Sequence, residues 1–511
     1  MTKDLDLKKI KRALISVFHK DGIEEIAREL IKEGVEILST GGTYEFLKKL
    51  DIPVTAVEKL TGYPSIFGGR VKTLHPVIFG GILYNREIED HVKESEEYNI
   101  PPIDLVVVDL YPFEETVAAG ASKAEIIEKI DIGGIALIRA AAKNCNDVVI
   151  VPCKEAYPQL ISMLKEKNCQ SSMEDRLSFA SQAFLTSSHY DTMIFDYFNR
   201  ETKFNIFDKS ITEANHLRYG ENPHQNALFY GNEKALPKQI HGKEISYNNM
   251  LDIESALELI SDFQETTVAI IKHTNACGCA VRDTLLDAWK DALAGDPVSA
   301  FGGIIVTNRK VDLATAQEIN KIFFEVIIAP SYDDDALEVL KSKKNRRIMI
   351  NEGTEIPDVK YRSLLSGVLV QDRDTLVEKP SDLKTVTKLA PSDKQIEDLI
   401  FANILVKHSK SNAIVLAKDK MLIASGIGQT SRVDALKQAV EKAGSFKHSL
   451  KGAVMSSDAF FPFPDCVEIA DKAGITSVIH PGGSIRDQES VDYCDAHDMA
   501  MVISGKRHFK H

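Results

Sequence analysis

Short runs of branched apolar residues alternate with amphipathic helical segments along the first part of the chain, and this alternation constrains the fold most. Leu105–Leu110 contains three consecutive valines, as expected for a strand that is buried on both faces of a parallel sheet. Ala13–Phe18 has the same character, and Gly22–Glu33 follows it with an apolar stripe at helical spacing. The pattern predicts a parallel α/β domain whose ligand site lies at the carboxyl ends of the strands.

The remainder of the chain again mixes strand-like and helix-like segments. Residues 176–200 predict a long helix, and the polar stretch 201–215 marks a domain boundary. We therefore expect one domain at residues 1–200 and a second at residues 201–511. No fixed-period repeat is visible, and the charged stretch 331–346 is expected to be solvated surface.

Composition excludes several classes of protein. The 511 residues carry 62 Lys and Arg against 75 Asp and Glu, and a net charge of −13 argues against a general nucleic-acid binder. No apolar window is long enough for a transmembrane helix, and Ala13–Phe18 is too short for the core of a signal peptide. Seven cysteines form no evident disulfide framework, so we expect reduced thiols and a cytoplasmic location.

Two glycine-containing segments near the N-terminus are candidate anion sites. Ser39–Thr43 (STGGT) stands between a strand and a helix, where glycine backbone, hydroxyls and the helix N-terminus could hold a phosphate. A tight turn with a threonine cap is the alternative. In Gly68–Pro76, an extended backbone would place Arg70 and Lys72 on one face, which a phosphate between them would explain better than a solvated surface does.

Asp131 precedes the helical segment that carries Lys143, and it either caps that helix or moves a proton. Tyr111, which follows the strand Leu105–Leu110, would lie at the same rim of the sheet. On a straight helix, Asp131 and Lys143 would be about 15–18 Å apart. They can serve one site only if the helix is broken, the ligand is long, or a partner subunit supplies one of them.

Lys272 and His273 directly follow a predicted strand and form a credible proton-transfer pair, although a plain strand-end histidine is the alternative. The spacing of His273, Cys277 and Cys279 fits no common zinc pattern, so we expect no metal. The phenylalanine-rich segment 457–465 predicts either core packing or a platform for a flat ring, with the core favoured.

Taken together, these motifs resemble the bifunctional purine biosynthesis family that combines AICAR formyltransferase with IMP cyclohydrolase. The resemblance runs through the whole chain in order, in STGGT, GGRVKTLHP, DLYPF, DIGG, RAAAKN, LRYGENPHQ, KHTN, DPVSAFGG, KHSKSN, GQTSR, SDAFFPFPD, PGGSIRD and KRHFKH. It implies an α/β fold, with an N-terminal parallel-sheet domain similar to methylglyoxal synthase. It further implies a C-terminal transformylase domain of two cytidine-deaminase-like units without zinc, and a homodimer with transformylase sites across the interface.

The resemblance also implies roles for residues. His273 would accept the proton of the AICAR amine as it attacks 10-formyltetrahydrofolate, the co-substrate, and Lys272 would stabilise the oxyanion or protonate the leaving nitrogen. For ring closure to IMP, Lys72 and Lys143 would stabilise charge while Tyr111 and Asp131 move protons.

The binding residues implied by the resemblance fall into three sets. The ribose phosphate of the ring-closure substrate would be held by Ser16, Lys20, Ser39, Thr40, Gly41, Gly42, Thr43, Arg70 and Thr73. AICAR would be held by Arg218, Tyr219, Gly302, Glu325, Asn412, Arg432 and Arg507. The folate side would be formed by Val433, Phe460, Asp465, Ser484 and Ile485.

Two other functions remain open from the sequence. The first is a binding module that senses a sugar phosphate or nucleotide and carries a degenerate deaminase-like domain, which predicts binding without turnover. The second is a metal-dependent deaminase, which predicts bound zinc.

Overall fold

A computed structural model describes residues 7–511 and divides into two compact units. The first unit ends at Thr212 and the second begins at Glu213. No helix within residues 7–511 is long and apolar enough to cross a membrane.

A five-stranded sheet in which every neighbouring pair is parallel forms the centre of the first unit, in the order β4-β3-β2-β5-β6. The strands are β1 (Lys8–Lys9), β2 (Arg12–Ser16), β3 (Glu36–Ser39), β4 (Thr55–Ala56), β5 (Leu105–Val108), β6 (Val149–Val151) and β7 (Gln170–Ser171). The helices are α1 (Ile23–Lys32), α2 (Gly41–Lys49), α3 (Val57–Thr61), α4 (Pro76–Leu83), α5 (Glu89–Glu97), α6 (Phe113–Ala118), α7 (Lys123–Glu128), α8 (Gly133–Lys143), α9 (Tyr157–Glu166) and α10 (Met173–Thr202).

Strand burial confirms the prediction of a parallel α/β domain. All four residues of β5 are buried, as are the three central residues of β2. Because successive side chains point to opposite faces, both faces of this sheet are covered. With both faces covered, a ligand would bind at the edge of the sheet where β2, β3 and β5 end, at Ser16, Ser39 and Val108.

The second unit contains a twelve-stranded sheet in the order β10-β15-β14-β13-β11-β12-β20-β19-β21-β22-β23-β18. The strands are β8 (Ala214–Leu217), β9 (Ala227–Tyr230), β10 (Lys238–His241), β11 (Thr267–Lys272), β12 (Asn275–Val281), β13 (Ile304–Thr307), β14 (Val326–Ala329), β15 (Arg347–Ile350), β16 (Val359–Leu364), β17 (Gly367–Asp372), β18 (Lys384–Thr385), β19 (Ile414–Lys418), β20 (Met421–Gly426), β21 (Val454–Ser457), β22 (Ser477–His480) and β23 (Ala500–Ile503). The helices are α11 (Tyr247–Ser261), α12 (Leu285–Gly295), α13 (Leu313–Ile319), α14 (Asp334–Lys341), α15 (Asp393–Lys407), α16 (Arg432–Ser445), α17 (Asp465–Ala473) and α18 (Asp487–Ala496).

The twelve-stranded sheet consists of two copies of one arrangement, as expected from the two similar units that the resemblance implies, although no repeat is visible in the sequence itself. In the first copy, the hairpin β11–β12 is followed by parallel strands β13, β14 and β15, with β10 antiparallel at the outer edge. In the second copy, the hairpin β19–β20 is followed by parallel strands β21, β22 and β23, with β18 antiparallel at the outer edge. The copies meet where β12 pairs antiparallel with β20. The likeness of each copy to cytidine deaminase stays a prediction.

The charged stretch 331–346 is mainly exposed to solvent, as its composition predicted, but three of its residues are buried. It contains α14, whose Ala336 and Leu340 are fully buried, and it ends at the buried Arg346. The Arg346 guanidinium lies 4.4 Å from the centre of the Phe324 ring and donates to the carbonyl of Ile322. The apolar face of α14 and this pairing of Arg346 attach an otherwise exposed segment to the core.

A buried histidine ties the C-terminal segment to the second unit. His508 is 3% exposed, and its ring nitrogens contact Asp374 at 2.6 Å and Glu378 at 2.9 Å. Burial opposes charge on the ring, but the hydrogen bonds to the two carboxylates outweigh it and raise the pKa of His508 to about 9.

This ion cluster predicts a loss of stability at alkaline pH. Because the folded pKa lies above the unfolded value, the contribution of His508 is complete below about pH 6.5 and is lost as the pH rises through about 9, a change of about 3 kcal/mol. Urea unfolding, followed by hydrogen exchange in peptides of the second unit, should show this decline in the unchanged chain and a weaker one in His508→Gln. The exposed His497→Gln variant should keep the full decline. Equal slopes in all three proteins would contradict the assignment.

Candidate active sites

In the first unit, the chain between β3 and α2 forms the candidate anion site. The Ser39 hydroxyl donates to the carbonyl of Ile15 at 2.7 Å, and Thr43 exchanges hydrogen bonds with the backbone of Val17 at 2.9 and 3.1 Å. These bonds fix the first turn of α2 against the end of β2. Gly41 has φ +53°, and a Cβ on it would lie 3.1 Å from the Lys72 ammonium. Lys72 therefore lies over the N-terminus of α2, where helix dipole and ammonium both favour an anion.

The loop that supplies Lys72 is not extended, so the expectation that Arg70 and Lys72 share one face is wrong. Gly68 and Gly69 have φ +64° and +94°, and residues 67–69 form a tight helical turn that Arg70 continues with helical dihedrals. The exposed Arg70 pairs with Glu128 across the loop. Glycine makes this turn inexpensive, because it tolerates positive φ.

Asp131 caps α8 and gathers neighbouring groups around its N-terminus. Its carboxylate accepts the Gly134 N–H at 2.6 Å, and the N–H of Tyr111 also points to it. The Thr73 hydroxyl lies 3.2 Å from where a Cβ on Gly133 would stand. The structure thus brings Thr73, Tyr111 and Asp131 together.

The surroundings shift the pKa values of Asp131 and Tyr111. Burial raises the pKa of Asp131, although the backbone N–H groups oppose the shift. Burial also raises the pKa of Tyr111, and the negative charge of Asp131 adds to that effect. Tyr190 fixes the loop, because its hydroxyl accepts the Asp131 N–H at 2.9 Å and donates to the Lys129 carbonyl at 2.8 Å. A carboxyl and a nearby phenol whose charges interact, both held toward the protonated form, suit proton transfer.

Asp109 was missed by the sequence interpretation, which considered it only as part of a strand. Its carboxylate accepts the N–H groups of Phe18 and His19 and lies 2.9 Å from Nδ1 of His19. The Phe18 ring contacts the Tyr111 ring edge-on, with centroids 5.7 Å apart. The segment that follows Ser16 and contains Lys20 is therefore fixed beside Tyr111, and burial lowers the pKa of Lys20.

Lys143 lies at the opposite end of α8 from Asp131 and is exposed. The helix is continuous from Gly133 to Lys143, so about 15 Å of helix rise separates its two ends. Within one chain the structure does not bring Lys143 to the group around Asp131.

In the second unit, strand register places the predicted residues along one edge of the twelve-stranded sheet. Ile271 pairs with Ile304, so Lys272 at the end of β11 lies beside the start of β13. Because Ala280 pairs with Met421 in antiparallel strands, the end of β20 lies level with the start of β12. That edge therefore holds Lys272 and His273, the starts of β13, β14 and β19, and the ends of β20, β21 and β22.

Lys272 is held at this edge by backbone carbonyls. Its ammonium donates to Phe301 at 2.9 Å and to Gly302 at 3.1 Å. Gly302 has φ +70°, and a Cβ there would lie 3.1 Å from the same ammonium. Glu325 follows at the start of β14 and pairs with Arg347 at 2.8 Å. The third ammonium hydrogen of Lys272 remains available for a ligand.

The second copy contributes a cluster of cations and amides. Arg432 contacts the buried Asp458 at 3.3 Å, and the guanidiniums of Arg432 and Arg507 lie over the Phe509 ring at 5.7 and 4.3 Å. Asn412 donates to the carbonyl of Gln429 at 3.0 Å.

The two copies are connected at this edge by one side chain. Asn275, which follows the His273 turn, accepts the N–H of Lys410 at 3.0 Å. The segment that carries Asn412 is thereby tied to the turn that carries His273.

The predicted folate-side residues lie in loops after β21 and β22 and at the start of α16. Within the phenylalanine-rich segment, Phe461 is fully buried, whereas Phe460 and Phe463 are 38% and 50% exposed. The segment therefore forms core and surface together. Ile485 is fully exposed, and Ser484 lies in the loop before α18, where its N–H donates to Asp487 at 3.1 Å. Asp465 begins α17, and Val433 lies in the first turn of α16.

Arg218 and Tyr219 lie in the exposed loop between β8 and β9. The Arg218 guanidinium donates to the Tyr219 hydroxyl at 2.6 Å and covers its ring at 4.5 Å. The same loop contacts the start of α11, where Asn248 donates to the carbonyl of Glu221 at 3.1 Å.

The cysteines that prompted the zinc hypothesis lie in β12. Cys277 and Cys279 are buried, and burial raises the pKa of the Cys277 thiol to about 12. Among residues 7–511, no group of three His, Cys, Asp or Glu side chains is placed to hold a metal ion.

The anion site at α2 predicts that Gly41→Ala weakens phosphate binding. The new methyl group would displace the Lys72 ammonium, and alanine resists φ +53°. Titration calorimetry with ribose 5-phosphate should show at least a roughly fivefold higher Kd. Gly34→Ala is the matched control, because Gly34 has φ +73° but nothing within 4 Å of its Cβ position. Equal weakening by both substitutions would contradict the site.

Comparison with known proteins places the chain in a family. The model described as "AICARFT/IMPCHase bienzyme" matches residues 141–442, and that described as "MGS-like domain" matches residues 22–136. A solved structure titled "Crystal structure of ForH" is 35% identical, covers 37% of this chain and 97% of its own, and has a TM-score of 0.33, too low to compare folds.

Full-length relatives carry the name "Bifunctional purine biosynthesis protein PurH". That of Bacteroides thetaiotaomicron is 62% identical over 99% of both chains. Those of Persephonella marina and Acetivibrio thermocellus are 48% and 47% identical over 98% of this chain and 100% of their own. The chain belongs to the AICARFT/IMPCHase bienzyme family.

Proposed function

We propose that this chain catalyses the last two steps of IMP synthesis. The second unit transfers the formyl group of 10-formyltetrahydrofolate to AICAR, and the first unit closes the ring of formyl-AICAR. The observation that carries the proposal is that each unit assembles its own polar site, in a chain that matches bifunctional relatives over 99% of its length. The cyclohydrolase is thus assigned to the domain predicted at 1–200 and the formyltransferase to that at 201–511.

Formyl transfer needs a base, because the AICAR amine is a weak nucleophile whose lone pair is delocalised into the ring. His273 takes the amine proton as nitrogen attacks the formyl carbon. Lys272 offers its free ammonium hydrogen to the oxyanion. As the intermediate collapses and the bond between the formyl carbon and N10 breaks, the proton held by His273 passes to N10, which releases tetrahydrofolate and formyl-AICAR. Gly302, Glu325, Asn412, Arg432 and Arg507 hold AICAR along the same sheet edge, and Arg218 and Tyr219 complete this set.

The folate is a co-substrate whose flat pterin needs apolar surface beside polar groups. Phe460 and Ile485 are exposed at the ends of β21 and β22, next to Asp465 and Ser484, and Val433 lies at the start of α16. This combination supports folate binding beside the AICAR set.

Ring closure joins the carboxamide nitrogen to the formyl carbon of the same molecule and releases water. Since both groups are already in one molecule, positioning supplies much of the rate. Asp131 and Tyr111 exchange the protons, Lys72 stabilises oxyanion charge, and the phosphate is held by Ser16, Lys20, Ser39, Thr40, Gly41, Gly42, Thr43, Arg70 and Thr73.

A homodimer completes the proposal. Because α8 is continuous, Lys143 can share a site with a group like that around Asp131 only if the ligand is long or if a second copy supplies one of them, and we favour the second copy. The hairpin β16–β17 supports dimerisation, because Leu364 and Leu369 on its strands are 47% and 55% exposed and Leu365 in its turn is 101% exposed. Within residues 7–511, these two strands pair only with each other. An isolated two-stranded hairpin is marginally stable in water, and a second copy would cover it. The cytoplasmic location stays a prediction.

Separate variants should separate the two half-reactions. His273→Ala should reduce formyl transfer by at least about 100-fold while the chain still cyclises supplied formyl-AICAR, because base catalysis contributes about 10²–10⁴-fold. Lys72→Ala should do the reverse and accumulate formyl-AICAR. The assay mixes AICAR with 10-formyltetrahydrofolate and follows tetrahydrofolate and IMP.

Two results would contradict this assignment. Loss of both half-reactions in either variant, with the fold intact by circular dichroism, would show that the sites are not separate. Binding of AICAR without turnover by the unchanged chain would favour the sensing module instead.

A further inference from the structure

The turn between β11 and β12 holds two residues in an unfavourable backbone conformation. His273 and Thr274 have φ +50° and +62°, the left-handed region that residues with a Cβ rarely adopt. Such a conformation persists only where the surroundings fix it. Here Thr274 and Asn275 both donate side-chain hydrogen bonds of 2.7 Å to the carbonyl of His273.

A further hydrogen bond that holds this turn comes from helix α11. Asp252 lies in the second turn of α11, and its Oδ1 accepts the N–H of Thr274 at 2.6 Å. Burial raises the pKa of Asp252, whereas the Thr274 N–H and the charges of His273 and then Lys272 lower it. The carboxylate therefore both anchors the turn and faces the two groups assigned to formyl transfer.

In the second copy of the repeat, a helix aspartate again accepts hydrogen bonds from a hairpin turn, but that turn does not carry the lysine and histidine assigned to formyl transfer. Asp398 lies in the second turn of α15, and its carboxylate accepts the N–H groups of Asp419 at 2.9 Å and Lys420 at 2.6 Å. Asp419 and Lys420 both have φ +51° and form the turn between β19 and β20. Asp252 and Asp398 each lie six residues after an N-cap serine, Ser246 and Ser392.

Strand register separates the two turns. The antiparallel seam between β12 and β20 puts the Asp419–Lys420 turn at the opposite sheet edge from His273, away from the residues assigned to AICAR. The Asp419–Lys420 turn is ion-paired instead, through Lys394, Glu265 and Glu397. The hydrogen bonding of a hairpin turn to a helix aspartate thus occurs in both copies, and of these two turns the one in the first copy carries the candidate base His273.

We propose that Asp252 is a positioning residue for formyl transfer: it fixes the left-handed His273 turn and supplies a negative charge that stabilises the imidazolium formed when His273 takes the amine proton. This inference rests on the proposed role of His273. Asp252 acts through the turn and touches neither substrate.

The equivalent hydrogen bonds of Asp398 in the second copy provide a matched control. Asp252→Ala should lower kcat for formyl transfer by about 10- to 100-fold with little change in the KM for AICAR, because small displacements of a catalytic group carry costs of that order. Asp398→Ala loses an equivalent anchor and should leave kcat within about twofold of the unchanged chain. Cyclisation of supplied formyl-AICAR should be unaffected in both variants.

Asp252→Asn separates charge from geometry and replaces Asp252→Ala should that variant not fold. The amide oxygen keeps the Thr274 hydrogen bond but removes the negative charge. Neutral imidazole is then favoured, so the acidic limb of kcat against pH should move to lower pH by roughly half a unit or more. Asp398→Asn should leave the profile in place.

Two results would overturn the proposal: equal loss of kcat in Asp252→Ala and Asp398→Ala, or an unmoved pH profile in Asp252→Asn, since a purely structural tie would behave so. His273→Ala is measured in parallel. If it retains formyl transfer, the assignment of His273 itself fails; if only the Asp252 variants behave like the unchanged chain, the proposed function stands and this inference fails.

Discussion

The antiparallel pairing of β12 with β20 decides which residues of the second unit can work together. In this seam, the pairing of Ala280 with Met421 fixes the register between the two copies of the repeat. Because the strands run in opposite directions, the His273 turn of the first copy lies level with the end of β20 in the second. A parallel seam would have put His273 and the Asp419–Lys420 turn at one edge, far from Arg432 and Asn412.

The same seam explains why two similar halves carry different side chains. At one edge, the third ammonium hydrogen of Lys272 and the guanidiniums of Arg432 and Arg507 lie on the same side as the loops that expose Phe460 and Ile485. At the other edge, the equivalent turn is neutralised by ion pairs within the chain. The fold thus supplies a helix aspartate and a left-handed turn in both halves, and the residues proposed for AICAR lie at the edge that gathers residues from both copies.

Sequence reasoning succeeded where local pattern and structure coincide. The valines of β5 predicted a buried parallel strand, because burial on both faces is visible in consecutive residues. The turn at Gly41 has the positive φ that glycine allows, and the anion site there stays a prediction. The prediction that Arg70 and Lys72 share one face was wrong, because the sequence does not specify that Gly68 and Gly69 adopt positive φ. In 331–346, the many charged residues masked the helical spacing of apolar residues, so the burial of two residues of α14 was not predicted.

For a related reason, the residue pattern alone showed neither the repeat, which only the family resemblance implied, nor the role of Asp252. The two copies share backbone geometry but few identical residues, among them Ala256 with Ala402 and Lys272 with Lys418. A signal was present: serine, then Asn or Gln three residues later, then aspartate three further on, at both Ser246 and Ser392. Each serine forms a capping box with Asn249 or Gln395, so the pattern reads first as a helix start. Only the folded chain shows that the aspartate reaches the next hairpin.

A crystal structure of the chain with AICAR and a folate analogue would show at which edge of the twelve-stranded sheet the substrate binds. We expect AICAR at the edge formed by the end of β11 and the start of β19, with His273 and Arg432 both in hydrogen-bond reach. AICAR bound beside Asp419 and Lys420 at the opposite edge would contradict this expectation.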